Sequence, residues 1–170
     1  MESIRRAIET ASTYLAEHPD IAPEADVAAT AVRQEGLRVR VEGPKGALIT
    51  DMSEGVGGGA TAFTPGWLLR AALASCDASL VAMEAARDGV ELTDLTVTVD
   101  SDSDSRGLLG VDDAVPPGPL AVRVRIELAA TNATNDQLRE IAQRAEARSP
   151  VRDAVTRAVS LSTEIVTAQR

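Results

Sequence analysis

Between Trp67 and Arg87 the chain runs for about six helical turns without a glycine or proline, and small residues crowd it: Ala71, Ala72, Ala74, Ser75, Ala78, Ala82, Ala85 and Ala86. Thr64-Pro65 supplies an N-cap and a proline at the first helical position, and Gly89 closes the run. Small side chains let another backbone come close, so this helix is expected to be central and buried. The rest of the chain must then wrap it.

The flanking segments suit that task. Ile4, Ala7, Ile8, Ala11 and Leu15 recur at helical spacing within Glu2 to Glu17, and His18-Pro19 ends that helix. Residues 1–24 are therefore read as a helix and connector, and residues 25–170 as the domain proper. Stretches at Val27 to Val32, Leu37 to Val41 and Ala47 to Met52 alternate and are divided by Gly-containing turns, which predicts a three-stranded antiparallel meander. After the long helix come predicted strands at Leu92 to Asp100 and Ala121 to Leu128, an amphipathic helix at Asn135 to Arg148, a short helix opened by Ser149-Pro150, and a closing strand at Val159 to Val166. That order predicts an α+β fold in which helices pack on an antiparallel sheet.

A length of 170 residues fits one domain, large enough to fold without disulfide or metal. A net charge of -9 leaves no field for a phosphate backbone or an anionic lipid surface, so neither nucleic acid nor membrane is expected as a partner. His18 is the only histidine and Cys76 the only cysteine, which removes zinc clusters, histidine triads and internal disulfides; no cofactor or metal is implied. Met1 to Glu17 is too polar for a signal peptide, and no run of about 20 apolar residues stands out, so a cytoplasmic protein is expected.

Few residues can carry chemistry. Cys76 lies in the middle of the long helix, either as a small core residue or as a nucleophile. A free thiol is about 3% ionised at pH 7, so nucleophilic work needs roughly 2 kcal/mol of help, which one cation can give. Arg38 and Arg40 share a strand face, and Arg70 lies on the helix about a third of a turn around from Cys76. Ser149 reads as an N-cap and, with no histidine or lysine beside it, as a poor nucleophile. Asp100 to Ser105 has the alternating oxygens of a calcium loop without its glycine and glutamate, and Gly55 to Gly59 lacks the ending of a phosphate loop; both read as connections.

Together, the stretch Thr64-Pro65-Gly66-Trp67-Leu68-Leu69-Arg70-Ala71-Ala72-Leu73-Ala74-Ser75-Cys76-Asp77-Ala78-Ser79, the run Gly89-Val90-Glu91-Leu92, the turn Arg106-Gly107-Leu108-Leu109-Gly110 and Ser149-Pro150-Val151 resemble the OsmC/Ohr superfamily of osmotically inducible and organic-hydroperoxide-resistance proteins. The resemblance implies an intertwined homodimer with central helices between wrapping sheets and active sites at the interface. It also implies oxidative-stress defence by a peroxiredoxin-like redox cysteine, which attacks an organic hydroperoxide, is resolved by a second cysteine, and is activated by an arginine and a glutamate. Carried over, Cys76 takes the place of the reactive cysteine and Arg38, with Arg40 as the alternative, that of the arginine. Gly66 stands in the glutamate's place and Ser149 in that of the resolving cysteine, so both positions are degenerate. The resemblance thus leaves two expectations: a one-cysteine hydroperoxide reductase that uses an external thiol reductant, or a non-enzymatic dimer that binds a small apolar ligand or serves as a scaffold.

Overall fold

Thr64 Oγ1 accepts the backbone N–H of Trp67 at 3.2 Å and starts the longest helix of the molecule, α2, Pro65–Arg87. The computed structural model describes residues 1–168. Around α2 the chain places α1 (Glu2–Glu17), β1 (Thr30–Arg33), β2 (Val39–Gly43), β3 (Gly46–Thr50), β4 (Leu92–Ser103), α3 (Ser105–Leu108), β5 (Pro119–Ala130), α4 (Asn135–Arg148) and α5 (Pro150–Thr156). The fold is α+β, as expected, but its strands form two antiparallel sheets rather than one: β1-β2-β3 and β4-β5.

The core lies where α2 and α4 meet the β4-β5 ribbon. Val81, Ala85, Val90, Leu138, Ile141 and Ala145 are buried there, against Leu95, Ile126 and Leu128 of the ribbon. Alternation explains the choice: Val124, Ile126 and Leu128 sit on the half-buried face of β5, while Arg123 and Arg125 face water. A capping box of Thr134 and Gln137 fixes the start of α4.

Several sequence expectations change. The first strand begins at Thr30, not Val27, and the predicted closing strand from Val159 to Val166 is irregular. Among the described residues no strand pairs with it, and its apolar side chains stand open: Leu161 is 91% exposed and Ile165 84%. A strand pattern without an edge to join leaves an irregular segment. The predicted loop from Asp100 is still β4 as far as Ser103, where Asp100 and Asp102 both pair with Arg123 across the ribbon, and Asp104 caps α3.

The central helix is buried along one face only. Leu73, Asp77, Val81, Glu84, Ala85 and Ala86 are covered, whereas Leu69, Ala72, Ser75 and Ser79 form an exposed stripe. The Ser75 and Ser79 hydroxyls donate to carbonyls of their own helix, Ala72 O at 3.1 Å and Ser75 O at 2.9 Å. By length and composition α2 could also cross a membrane, contrary to the sequence reading. Its two buried carboxylates, bound by arginines of α4 and α5, mark it instead as a helix that packs within a folded domain. No residue of α1 is buried, and its apolar face stays largely open.

The glycine-rich segment is more ordered than a simple connection. Asp51, 3% exposed, accepts from Met52 N at 2.8 Å, Gly59 N at 3.4 Å, and Thr61 N and Oγ1 at 3.1 and 2.8 Å. Hydrogen bonds from Thr61, helped by those from Met52 and Gly59, overcome burial and hold the Asp51 carboxyl down to about 2. Gly58 is required here by contact, because a Cβ would stand 2.0 Å from the Met52 carbonyl oxygen.

Candidate functional site

Cys76 sits midway along α2, half-buried, and its hydrogen bond comes from the far end of the fold. Ser149, 73 residues later, points its hydroxyl at the sulfur, with Oγ to Sγ 3.3 Å. The same hydroxyl accepts the Arg152 N–H at 3.3 Å and so caps α5. One O–H and one lone pair thus satisfy an oxygen in a residue that is only 2% exposed. The resemblance pairs these positions as reactive and resolving cysteines, and the structure brings them into contact as a thiol and an alcohol.

Beside this contact lies an ion pair that sequence reasoning missed. Arg152 Nη2 reaches Asp77 Oδ2 at 2.6 Å and Glu146 Oε1 at 3.0 Å. Asp77 is 0% exposed, the residue after Cys76, and it ties α2 to the helix that carries Ser149. Among the described residues Asp77 Oδ1 and Arg152 Nε are buried without partners, so the pair holds α5 in place with spare hydrogen-bonding capacity. No spacing in the sequence joins Asp77 to Arg152. Only the identity of a charged residue within the apolar stretch of α2 gave any signal.

Two helical turns beyond, Glu84 receives Arg144 Nε at 3.1 Å and Arg148 Nη1 at 2.5 Å, with Arg87 Nε at 3.5 Å. Burial pushes its carboxyl up, but the arginine hydrogen bonds outweigh it and the net direction is down.

The arginines read from the early strands have partners of their own within the chain. Arg38 Nη1 donates to Thr61 Oγ1 at 2.7 Å and its Nε to Gln34 at 3.4 Å, which couples it through Thr61 to Asp51. Arg40 pairs with Glu42 at 2.8 Å. Neither forms a hydrogen bond to Cys76 within the chain. Gly66 lies in the first turn of α2 on the wall of a cavity of about 540 Å³ and brings no carboxylate to it. No group of three or more His, Cys, Asp or Glu side chains among the described residues is placed to hold a metal ion.

Comparison with known proteins places this geometry. The chain matches the family model for OsmC-like proteins over residues 57–164. No curated protein matches the sequence. Among solved structures it is similar to an OsmC-like protein from Mycoplasma pneumoniae, with a TM-score of 0.66, 16% identity, and coverage of 79% of this chain and 90% of that one. It is also similar to an organic hydroperoxide resistance protein OsmC from Legionella pneumophila, with a TM-score of 0.57 and 20% identity over 79% and 92%. A third is the organic hydroperoxide resistance protein OhrB of Bacillus subtilis, with a TM-score of 0.51 and 17% identity over 78% and 92%. At these identities the structures speak for the fold, whereas the family model spans more than half the chain and includes Cys76 and Ser149. The chain belongs to the OsmC-like protein family, as a single-cysteine member.

Proposed function

We infer that this protein is a one-cysteine reductase of organic hydroperoxides, with Cys76 as nucleophile and an external thiol as reductant. The observation that carries this reading is the 3.3 Å contact between Cys76 Sγ and Ser149 Oγ, which keeps the family's two-residue site while removing its second sulfur. The thiolate attacks the distal peroxide oxygen, the O–O bond breaks, and the alkoxide takes a proton to leave as an alcohol, giving a sulfenic acid on Cys76. Ser149 cannot form a disulfide with it. A free thiol therefore condenses with the sulfenic acid and releases water, and a second thiol displaces Cys76 to leave a small-molecule disulfide. The Ser149 hydroxyl, already donating toward the sulfur, is placed to hydrogen-bond the sulfenate oxygen.

This reading assigns Arg38, with Arg40 as the alternative, to the cation of the site. Within one chain Arg38 is bound to Thr61 and Gln34, so the site would be completed across an intertwined homodimer. Support for a second copy comes from the exposed Ala72, Ser75 and Ser79 of α2 and from the irregular apolar segment after α5. We place the activity in oxidative-stress defence in the cytoplasm. A second reading, a non-enzymatic dimer that holds a small apolar ligand, is favoured by Gly66, which leaves the wall of its cavity without the family's carboxylate.

Consumption of an organic hydroperoxide in the presence of excess small thiol separates the two. The wild type should turn over and Cys76→Ser should not; equal rates would rule out the peroxidase reading.

A further inference from the structure

We propose that the cavity at the start of α2 is a binding site for a small monocarboxylate with an apolar body, and that Arg70 recognises the carboxylate. The cavity, of about 540 Å³, is within the usual size range of small-molecule sites, and Met52, Leu69, Leu108 and Pro119 contribute its apolar walls. Arg70 is the one cation on that wall. Its Nη1 donates to Ser101 Oγ at 3.1 Å; Ser101 lies on β4 two residues before Ser103, another wall residue, so the guanidinium is held along that side.

Charge sets Arg70 apart from the other arginines around α2, although Arg33, Arg38 and Lys45 also lack a salt-bridge partner among the described residues. Acids outnumber bases by 26 to 17, and the arginines packed around the other half of α2, namely Arg87, Arg144, Arg148 and Arg152, all meet carboxylates. Among the described residues Arg70 has no salt-bridge partner and keeps most of its five donors in a planar fork that suits a carboxylate. The acid on the same wall, Asp104, is already occupied: Arg106 Nη2 lies 2.5 Å from it, and this hydrogen bond holds its carboxyl below the usual range.

Gly66 leaves the site open. Its backbone needs no glycine, since φ is not positive, and a Cβ there would meet only Thr64 Oγ1 at 3.9 Å. Leu69 and Cys76 lie two turns apart on one helix face, so the site stands about 10 Å along α2 from the sulfur and can be occupied whether or not Cys76 is reactive.

Calorimetric titration of the full chain with octanoate and with 1-octanol tests this. The expected result is saturable binding of octanoate at one site per chain, at least tenfold tighter than octanol. Arg70→Gln should bring octanoate to the level of octanol, Gly66→Leu should weaken both by filling the cavity, and Arg33→Gln, an arginine away from the cavity, should change neither. Equal affinity of the wild type for octanoate and octanol, absence of saturable binding, or an Arg70→Gln protein that binds octanoate like wild type would each overturn the proposal. The wild-type comparison stands even if a variant fails to fold, and none of these readouts depends on peroxide chemistry.

Discussion

Ser149 serves two helices with one hydroxyl, capping α5 and touching the sulfur on α2. Ser149→Ala should cost about 1 kcal/mol of stability, measured by denaturant unfolding, through loss of the cap. Ser149→Cys should place a second sulfur within reach of Cys76, and treatment with a hydroperoxide should then yield an intramolecular disulfide, seen by mass spectrometry as the loss of two hydrogens. Absence of that bond would show that the two residues do not meet. Asp51 gives a pH signature. Its carboxyl lies at about 2 instead of 3.8, so its contribution is complete above the ordinary value and is lost as pH falls toward about 2. Asp51→Asn should flatten the acid limb of stability across that window. Cys76 and Ser149 were both legible as residues, one by its rarity and the other by its Ser-Pro cap. Their contact was not, because 73 residues separate them. Asp51 left no mark in the sequence, since its partners are mostly backbone N–H groups supplied by a loop that folds back on it.

At the scale of elements, α2 is fastened by buried charge as well as apolar contact. Arg152→Met would leave the Asp77 carboxylate buried without its cation, which should destabilise the protein by about 3 kcal/mol, and Asp77→Leu combined with Arg152→Met should recover much of that loss. Thermal unfolding of the two variants beside the wild type measures both effects. The helices were the most readable elements, because Thr64-Pro65, Thr134 with Gln137, and Ser149-Pro150 are local start signals that need nothing from the rest of the chain. Strands depend on partners. β4 and β5 pair along their whole length and run longer than the sequence predicted, whereas Val159 to Val166 carries strand composition and finds no edge within its own chain.

For the whole molecule, α2 leaves one stripe bare, α1 buries nothing fully, and Leu161, Ile165 and Val166 stand 84% exposed or more. Such apolar exposure suits an assembly better than an isolated chain. Sedimentation should give twice the 17.8 kDa chain mass, and truncation after Arg157 should weaken that association. The expectation of an intertwined dimer comes from the resemblance rather than from periodicity, since a single chain's pattern shows which faces are apolar but not what covers them. On the proposed function, Cys76 reacts with hydroperoxide and no second cysteine in the chain resolves it. Intact-mass measurement after one equivalent of an organic hydroperoxide tests it directly: the wild type should carry a single added oxygen on Cys76 that persists until a small thiol is supplied, and a chain that stays unmodified while the peroxide remains unconsumed would contradict it.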